Sequence, residues 1–442
     1  MAIQIFEVQF DKNGNVFLPQ QEADIVRFLS TAPGNQTTDV VVLSHGWNND
    51  MDEARTLYRT FLAQLEPLLP AASAGKTVAI GILWPSKKFA EKDLIPSGAA
   101  SFDPFPALAP LLGEQVQQIK NMLGSNESDA ALDAAAALLP GIENSASAQR
   151  DFVAKLAALL EKHVDPSQTS FGEGTAALGT LDGAEVLQRL SQPVVTTTVD
   201  TSAGGAADFD TDSAGGPAAG GAAGLDGLFS SITAGASRLL NYFTYFVMKD
   251  RAGVVGRNGV NPMLSRIQAQ VANTIRFHLA GHSFGGRLVT ATADGPNPLR
   301  LNTMLLLQAA FSHNGFAQKY DLQHDGFFVN VVKQGKIAGP ILITHSKQDT
   351  AVGIAYPLAS RISGDTAAEL GDANDIYGGM GRNGAQHMGA LADDTLMLAA
   401  RSPYTLPAGK AIYNFNGDAI ITSHGDVARA ETAWLLAMGI PS

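Results

Sequence analysis

Short, continuous apolar runs separated by helical patterns constrain this chain more than any other feature. Residues 40–43, 78–84, 274–280, 303–308, 341–344 and 411–414 are such runs. Strands covered by helices on both faces read as unbroken apolar stretches, whereas strands with one wet face alternate. Amphipathic patterns fall between several of the runs, at 52–69, 287–293 and 427–438. The alternation predicts an α/β fold, with a mostly parallel sheet flanked by helices. The opening segment alternates apolar and polar residues and carries an Asp-Lys-Asn-Gly turn at 11–14, which predicts an antiparallel hairpin at one edge.

The alternation breaks off between 87 and 265, where the weak VVTTTV run at 194–199 is the sole strand candidate. Leu108, Leu111, Leu112, Val116, Ile119 and Met122 share one helical stripe, and Phe152, Val153, Leu156, Leu159 and Leu160 another. The domain reading is therefore a core of residues 1–86 and 266–442, interrupted by a large, mainly helical cap insertion at 87–265. Within the insertion, 201–227 is dominated by Gly and Ala and buries too little apolar area to offset chain entropy, which predicts a flexible linker. Asp208, Asp210 and Asp212 resemble the start of a calcium loop, but Ser213 and Ala219 stand where that loop needs Gly and Glu. The stretch 239–248 is apolar on nearly every side, and burial against the core is its expected fate.

Charge narrows the partners. The net charge of −12 is spread without a basic block, which argues against nucleic acid and against anionic membrane surfaces. With no cysteine there is no disulfide, thiolate nucleophile or Cys-ligated metal. No basic-then-apolar leader opens the chain and no apolar run approaches the roughly 20 residues of a spanning helix. The expectation is a cytoplasmic protein, with export by a signal-less route as the alternative.

The sharpest motif is Gly281-His282-Ser283-Phe284-Gly285-Gly286, directly after one predicted strand and directly before a predicted helix. A nucleophilic hydroxyl is presented on such a tight strand-to-helix turn, where glycines remove Cβ clashes and helix amides favour developing negative charge. A second segment, VVVLSHGWNND at 40–50, is a buried strand ending in His45-Gly46-Trp47. An acyl oxyanion needs two backbone donors, one from the residue after the nucleophile and one from an earlier strand's loop. Phe284 and Trp47 are positioned to supply them. Flanking these groups, His45, Gly46 and His282 are assigned to substrate binding.

Of nine histidines, His424 is best placed as the base, in a loop after the last strand and before the last helix; His387, in a glycine-rich stretch, is the runner-up. Asp349, just past the strand at 341–344, is the expected acid that fixes the base's tautomer, whereas Asp426 reads as a helix cap. The chain order Ser283, Asp349, His424 belongs to the α/β-hydrolase arrangement.

With HGWNN at 45–49, WPS at 84–86 and GHSFGG at 281–286, residues 1–86 and 266–442 resemble bacterial α/β-hydrolases of the lipase and esterase type. The resemblance implies Ser283 as nucleophile, Asp349 as acid, His424 as base and the Trp47 and Phe284 amides as oxyanion hole. It further implies a serine carboxylesterase or lipase that works through an acyl-enzyme on a small-molecule or lipid ester, without cofactor or metal. Residues 246–260 also look like a family segment. Two alternatives stay open: a phospholipase-type effector, and a non-catalytic binding or scaffold protein on the same fold.

Overall fold

The computed structural model describes residues 3–47, 49–86, 104–164, 176–191, 231–349 and 378–441. Eight strands form one sheet: β1 (Gln4–Gln9), β2 (Asp39–Ser44), β3 (Thr77–Leu83), β4 (Arg276–His282), β5 (Thr303–Leu307), β6 (Ile341–His345), β7 (Ala392–Leu396) and β8 (Ile412–Asn416). Their order is β1-β3-β2-β4-β5-β6-β8-β7, and every pairing is parallel. All carboxyl ends therefore lie along one edge. The chain runs outward to β3 after β2 and the opposite way to β5 after β4, so the crevice between β2 and β4 is where ligands gather in sheets of this kind.

The apolar runs are continuous because each strand feeds two cores. Val40, Val42, Ile80, Ile82, Leu279, Leu306 and Ile343 pack on one face with the helices Pro19–Ser30, Ile232–Val254, Asn261–Gln270 and Phe284–Ala293. Val41, Leu43, Ala79, Leu83, Ala280, Leu305 and Leu342 pack on the other with Met51–Leu65 and Ala430–Gly439. The two edges behave differently from expectation. β1 is not half of a hairpin: it pairs parallel with β3, and a single antiparallel bridge, Phe10 to Val16, closes the turn in which Asp11 accepts from the amides of Asn13 and Asn15. Its alternation reflects an edge strand whose residues are mostly half-exposed. The opposite edge, β7, was not anticipated from the sequence, because Asp393 and Asp394 interrupt any apolar run.

At the amino ends of the strands, Asp39 is buried and takes a bidentate bond from Arg276 (2.7 and 2.9 Å) and one from His278 Nε2 (3.0 Å). Burial alone would raise this carboxyl, but bonds from His278, Arg276, Ser73 and Thr38 outweigh it and hold Asp39 well below the usual carboxylate range.

Between β3 and β4 the described residues are helical and contain no strand. The run 194–199, the Gly/Ala-rich stretch 201–227 and the aspartates 208, 210 and 212 lie outside the described residues. The apolar candidate at 239–248 is the middle of a 23-residue helix, Ile232–Val254, buried at every position from Thr233 to Gly253. Charged residues in so enclosed a helix are tolerated where carbonyls receive them. Arg238 donates to Leu190 O and Ser191 O at the end of the helix Gly183–Ser191. Arg251 bridges Pro85 O (3.0 Å) and Met122 O (2.9 Å), which ties the residues after β3 to the helix Pro104–Leu123. No helix among the described residues is long and apolar enough to cross a membrane.

Candidate active site

Ser283 is the hinge between β4 and the helix Phe284–Ala293. Its backbone sits at φ 56° and ψ −124°, a conformation that L-residues rarely adopt. Three main-chain bonds hold it there: Ser283 N donates to Leu307 O (3.0 Å), while Ser283 O accepts from Gly286 N (2.9 Å) and Ala310 N (3.0 Å). Close approach explains two neighbouring glycines. A Cβ on Gly285 would be driven into the carbonyl oxygens of Ser44 and His45, and one on Gly46 would stand 2.8 Å from Ser283 Cβ. The elbow can therefore seat itself against the end of β2.

Asp349 and His424, 75 residues apart, meet at 2.8 Å between Oδ2 and Nδ1; the carboxyl is fully buried and the imidazole 5 % exposed. A carboxylate accepts, so Nδ1 donates and Nε2 carries the lone pair. Asp349 lies just past β6 in a turn closed by its own amide on Ser346 O (3.0 Å). Among the described residues no hydrogen bond joins the Ser283 hydroxyl to His424. The ring of His282, next to Ser283, lies 4.8 Å from that of His424.

Phe284 supplies the first amide of its helix, one of those that have no partner within the helix. Trp47 lies beside it: their rings are 5.7 Å apart, and Tyr245 of the buried helix packs on both, at 4.9 Å from Phe284 and 6.1 Å from Trp47. Tyr245 had no sequence signal beyond its place in an apolar run. The loop after β2 is fastened by the two motifs that mark the chain. His45 stacks on Trp84 (5.6 Å, 15°), accepts from the Trp84 amide and donates from Nδ1 to Gly46 O (2.9 Å). Trp84 Nε1 in turn donates to His45 O (3.0 Å), and Ser86 Oγ to Asn49 O (2.8 Å). Tyr58 binds the His45 amide at 2.9 Å. Asp50 then starts the helix Met51–Leu65 with a reciprocal capping box with Glu53, worth about 1 kcal/mol.

The structure thus gathers Ser283, Asp349, His424, Trp47 and Phe284 at one edge of the sheet. It places His45, Gly46 and His282 there too, but with the rings of His45 and His282 buried and bonded to protein groups. His387 stands apart, bonded to Asn314 at 2.7 Å, and Asp426 serves Thr422 and Arg429.

Burial pushes the imidazole of His45 down to about 4, and burial followed by the nearby charge of His424 pushes that of His282 down to about 3. Both values lie below the ordinary 6.5, so the unfolded chain binds protons that the folded one refuses. The stability these rings contribute is complete above pH 6.5 and is lost progressively as pH falls from there toward their folded values of about 4 and about 3. The urea midpoint should accordingly decline between about pH 6.5 and about pH 5, where an ordinary histidine takes up its proton. Imidazole resonances of His45 and His282 should stay neutral over that interval. Rings that titrate there in the folded protein, or a flat midpoint, would remove this account.

No family model, curated protein or solved structure matches this chain.

Proposed function

We propose that the chain is a serine hydrolase that cleaves carboxylic esters through an acyl-enzyme. The observation that carries the reading is the backbone-strained Ser283 at a strand-to-helix turn, on the same sheet edge as the buried Asp349–His424 pair. Geometry of this type suits one sequence of events. Ser283 Oγ attacks the ester carbonyl as its proton passes to His424 Nε2; the imidazolium is stabilised by Asp349 and then protonates the departing alkoxide. Water, deprotonated by the same nitrogen, attacks the acyl-enzyme and releases the acid, returning the proton to Ser283. The amides of Trp47 and Phe284 are the donors for the oxygen that becomes negative in both tetrahedral states.

On this reading the fold is that of an α/β-hydrolase, and the helices between β3 and β4 form its cap. Trp47, Tyr245 and Phe284 pack on one another as a buried aromatic cluster that backs the oxyanion side.

A fluorophosphonate probe should form an adduct that maps to Ser283 in the folded protein and fails to form in His424→Ala, with turnover of p-nitrophenyl esters lost in parallel. An adduct on another residue, or a well-folded protein that neither labels nor turns over esters, sinks the reading.

A further inference from the structure

The segment between β8 and the helix Ala430–Gly439 has no helix or strand of its own, yet it carries His424. Three of its carbonyls are each held by a buried side chain from the sheet edge. Ser346 Oγ, just past β6, donates to Ile421 O at 3.2 Å. Gln308 Nε2, just past β5, reaches Ser423 O at 3.4 Å, its amide oriented by Thr344 Oγ1 donating to Oε1 at 2.9 Å. His282 Nε2, at the end of β4, donates to His424 O at 2.9 Å across 142 residues of sequence. Because β6, β5 and β4 are successive neighbours, the loop crosses the edge from β8 toward the elbow and is held at each of these strands in turn.

We infer that His282 is a positioning residue for the base: its Nε2–H grips the His424 carbonyl and sets the imidazole at working distance from Ser283. The inference rests on the serine-hydrolase reading. Asp349 fixes the ring of His424, Ser346 and Gln308 hold the residues before it, and His282 is the group that holds the carbonyl of His424 itself. Since Ser283 is the next residue, one dipeptide sets nucleophile and base together. A carbonyl only accepts, so His282 must be the Nε2–H tautomer, and its Nδ1 is then a buried acceptor with no hydrogen-bond partner among the described residues. Packing alone would be served better by an apolar ring without that unmade bond. Burial pushes this imidazole down to about 3, which keeps it neutral and hence a single fixed donor at neutral pH.

Comparing His282→Ala with His282→Gln tests this, since the glutamine amide nitrogen reaches about as far as Nε2. With p-nitrophenyl esters, His282→Ala should lose about a hundredfold in kcat, the scale of a misplaced catalytic group, with KM little changed. His282→Gln should recover most of that loss. Wild-type kcat in folded His282→Ala overturns the inference, as does equal impairment of both variants at equal melting temperature. If His282→Ala does not fold, the glutamine variant decides alone: near-wild-type kcat supports the role and a hundredfold loss overturns it.

Failure of the hydrolase reading looks different, because wild type itself would then neither turn over esters nor label. The clasp is still read by NMR in that case. The His424 Nδ1–H proton, bonded to Asp349, should be sharp in wild type and exchange-broadened in His282→Ala; an unchanged signal overturns the positioning role.

Discussion

Ser283→Ala should lower kcat for ester hydrolysis by about 10⁶-fold, the scale at which loss of the nucleophile disables a serine hydrolase. KM should move far less, since binding surface and oxyanion amides survive. The strain at this residue allows the prediction to be separated from a loss of folding. Alanine keeps a Cβ at φ 56° and retains the strain, so Ser283→Ala should melt close to wild type. Glycine relieves it. Ser283→Gly should be equally inactive yet more stable by about 1 kcal/mol, because a strained backbone of this kind costs about 1–3 kcal/mol and glycine gives part of the gain back in unfolded-chain entropy. Activity and stability would then move in opposite directions at one position, as expected where strain is held in place to serve chemistry. Ester turnover surviving in Ser283→Ala would reduce Gly281–Gly286 to a turn and withdraw the nucleophile.

What could be read from the sequence follows how local each signal is. Val40–Leu43 and Ile341–Thr344 were legible as buried parallel strands because covering both faces leaves an almost unbroken apolar run. The strand-to-helix turn at Ser283 was legible because its glycines are sequence neighbours, and the placement of Asp349 and His424 at the same sheet edge because each follows a core strand. At the edges this logic fails. β1 alternates like a hairpin strand although its partner is β3, and β7 reads as loop because Asp393 and Asp394 sit in it. The ends of elements slipped for a related reason: β4 continues to His282, whose place is set by pairing with Leu307 and not by local propensity.

Least legible were the main-chain acceptors. Arg251 on Pro85 O, Ser346 on Ile421 O and His282 on His424 O depend on carbonyls that every residue possesses, so no residue type marks the partner. HGWNN and WPS could be quoted as motifs but not explained. The stacking of His45 on Trp84 and the bond from Ser86 to Asn49 O show why they occur together, since one strand end fastens the other's loop.

Asp349→Asn should lower kcat by about 10⁴-fold while leaving the site assembled. The carboxylate accepts from His424 Nδ1–H at 2.8 Å and so keeps the lone pair on Nε2, the nitrogen required to take the Ser283 proton. An asparagine in the same place can turn its NH₂ toward Nδ1, which then accepts, and the ring carries its proton on Nε2. In that tautomer it is no base. The imidazolium formed during attack also loses its counter-charge. Loss should therefore fall on kcat and on the rate of fluorophosphonate labelling, with KM and melting temperature close to wild type. Asp426→Asn is the matched control two residues from the base: Asp426 is held by Thr422 and Arg429, outside the contact to His424, and its loss should change kcat by no more than about twofold, as for ordinary surface changes. If Asp426→Asn proves the more damaging of the two, the acid has been misassigned, and the 2.8 Å contact at Asp349 serves to hold the loop and not to orient the base.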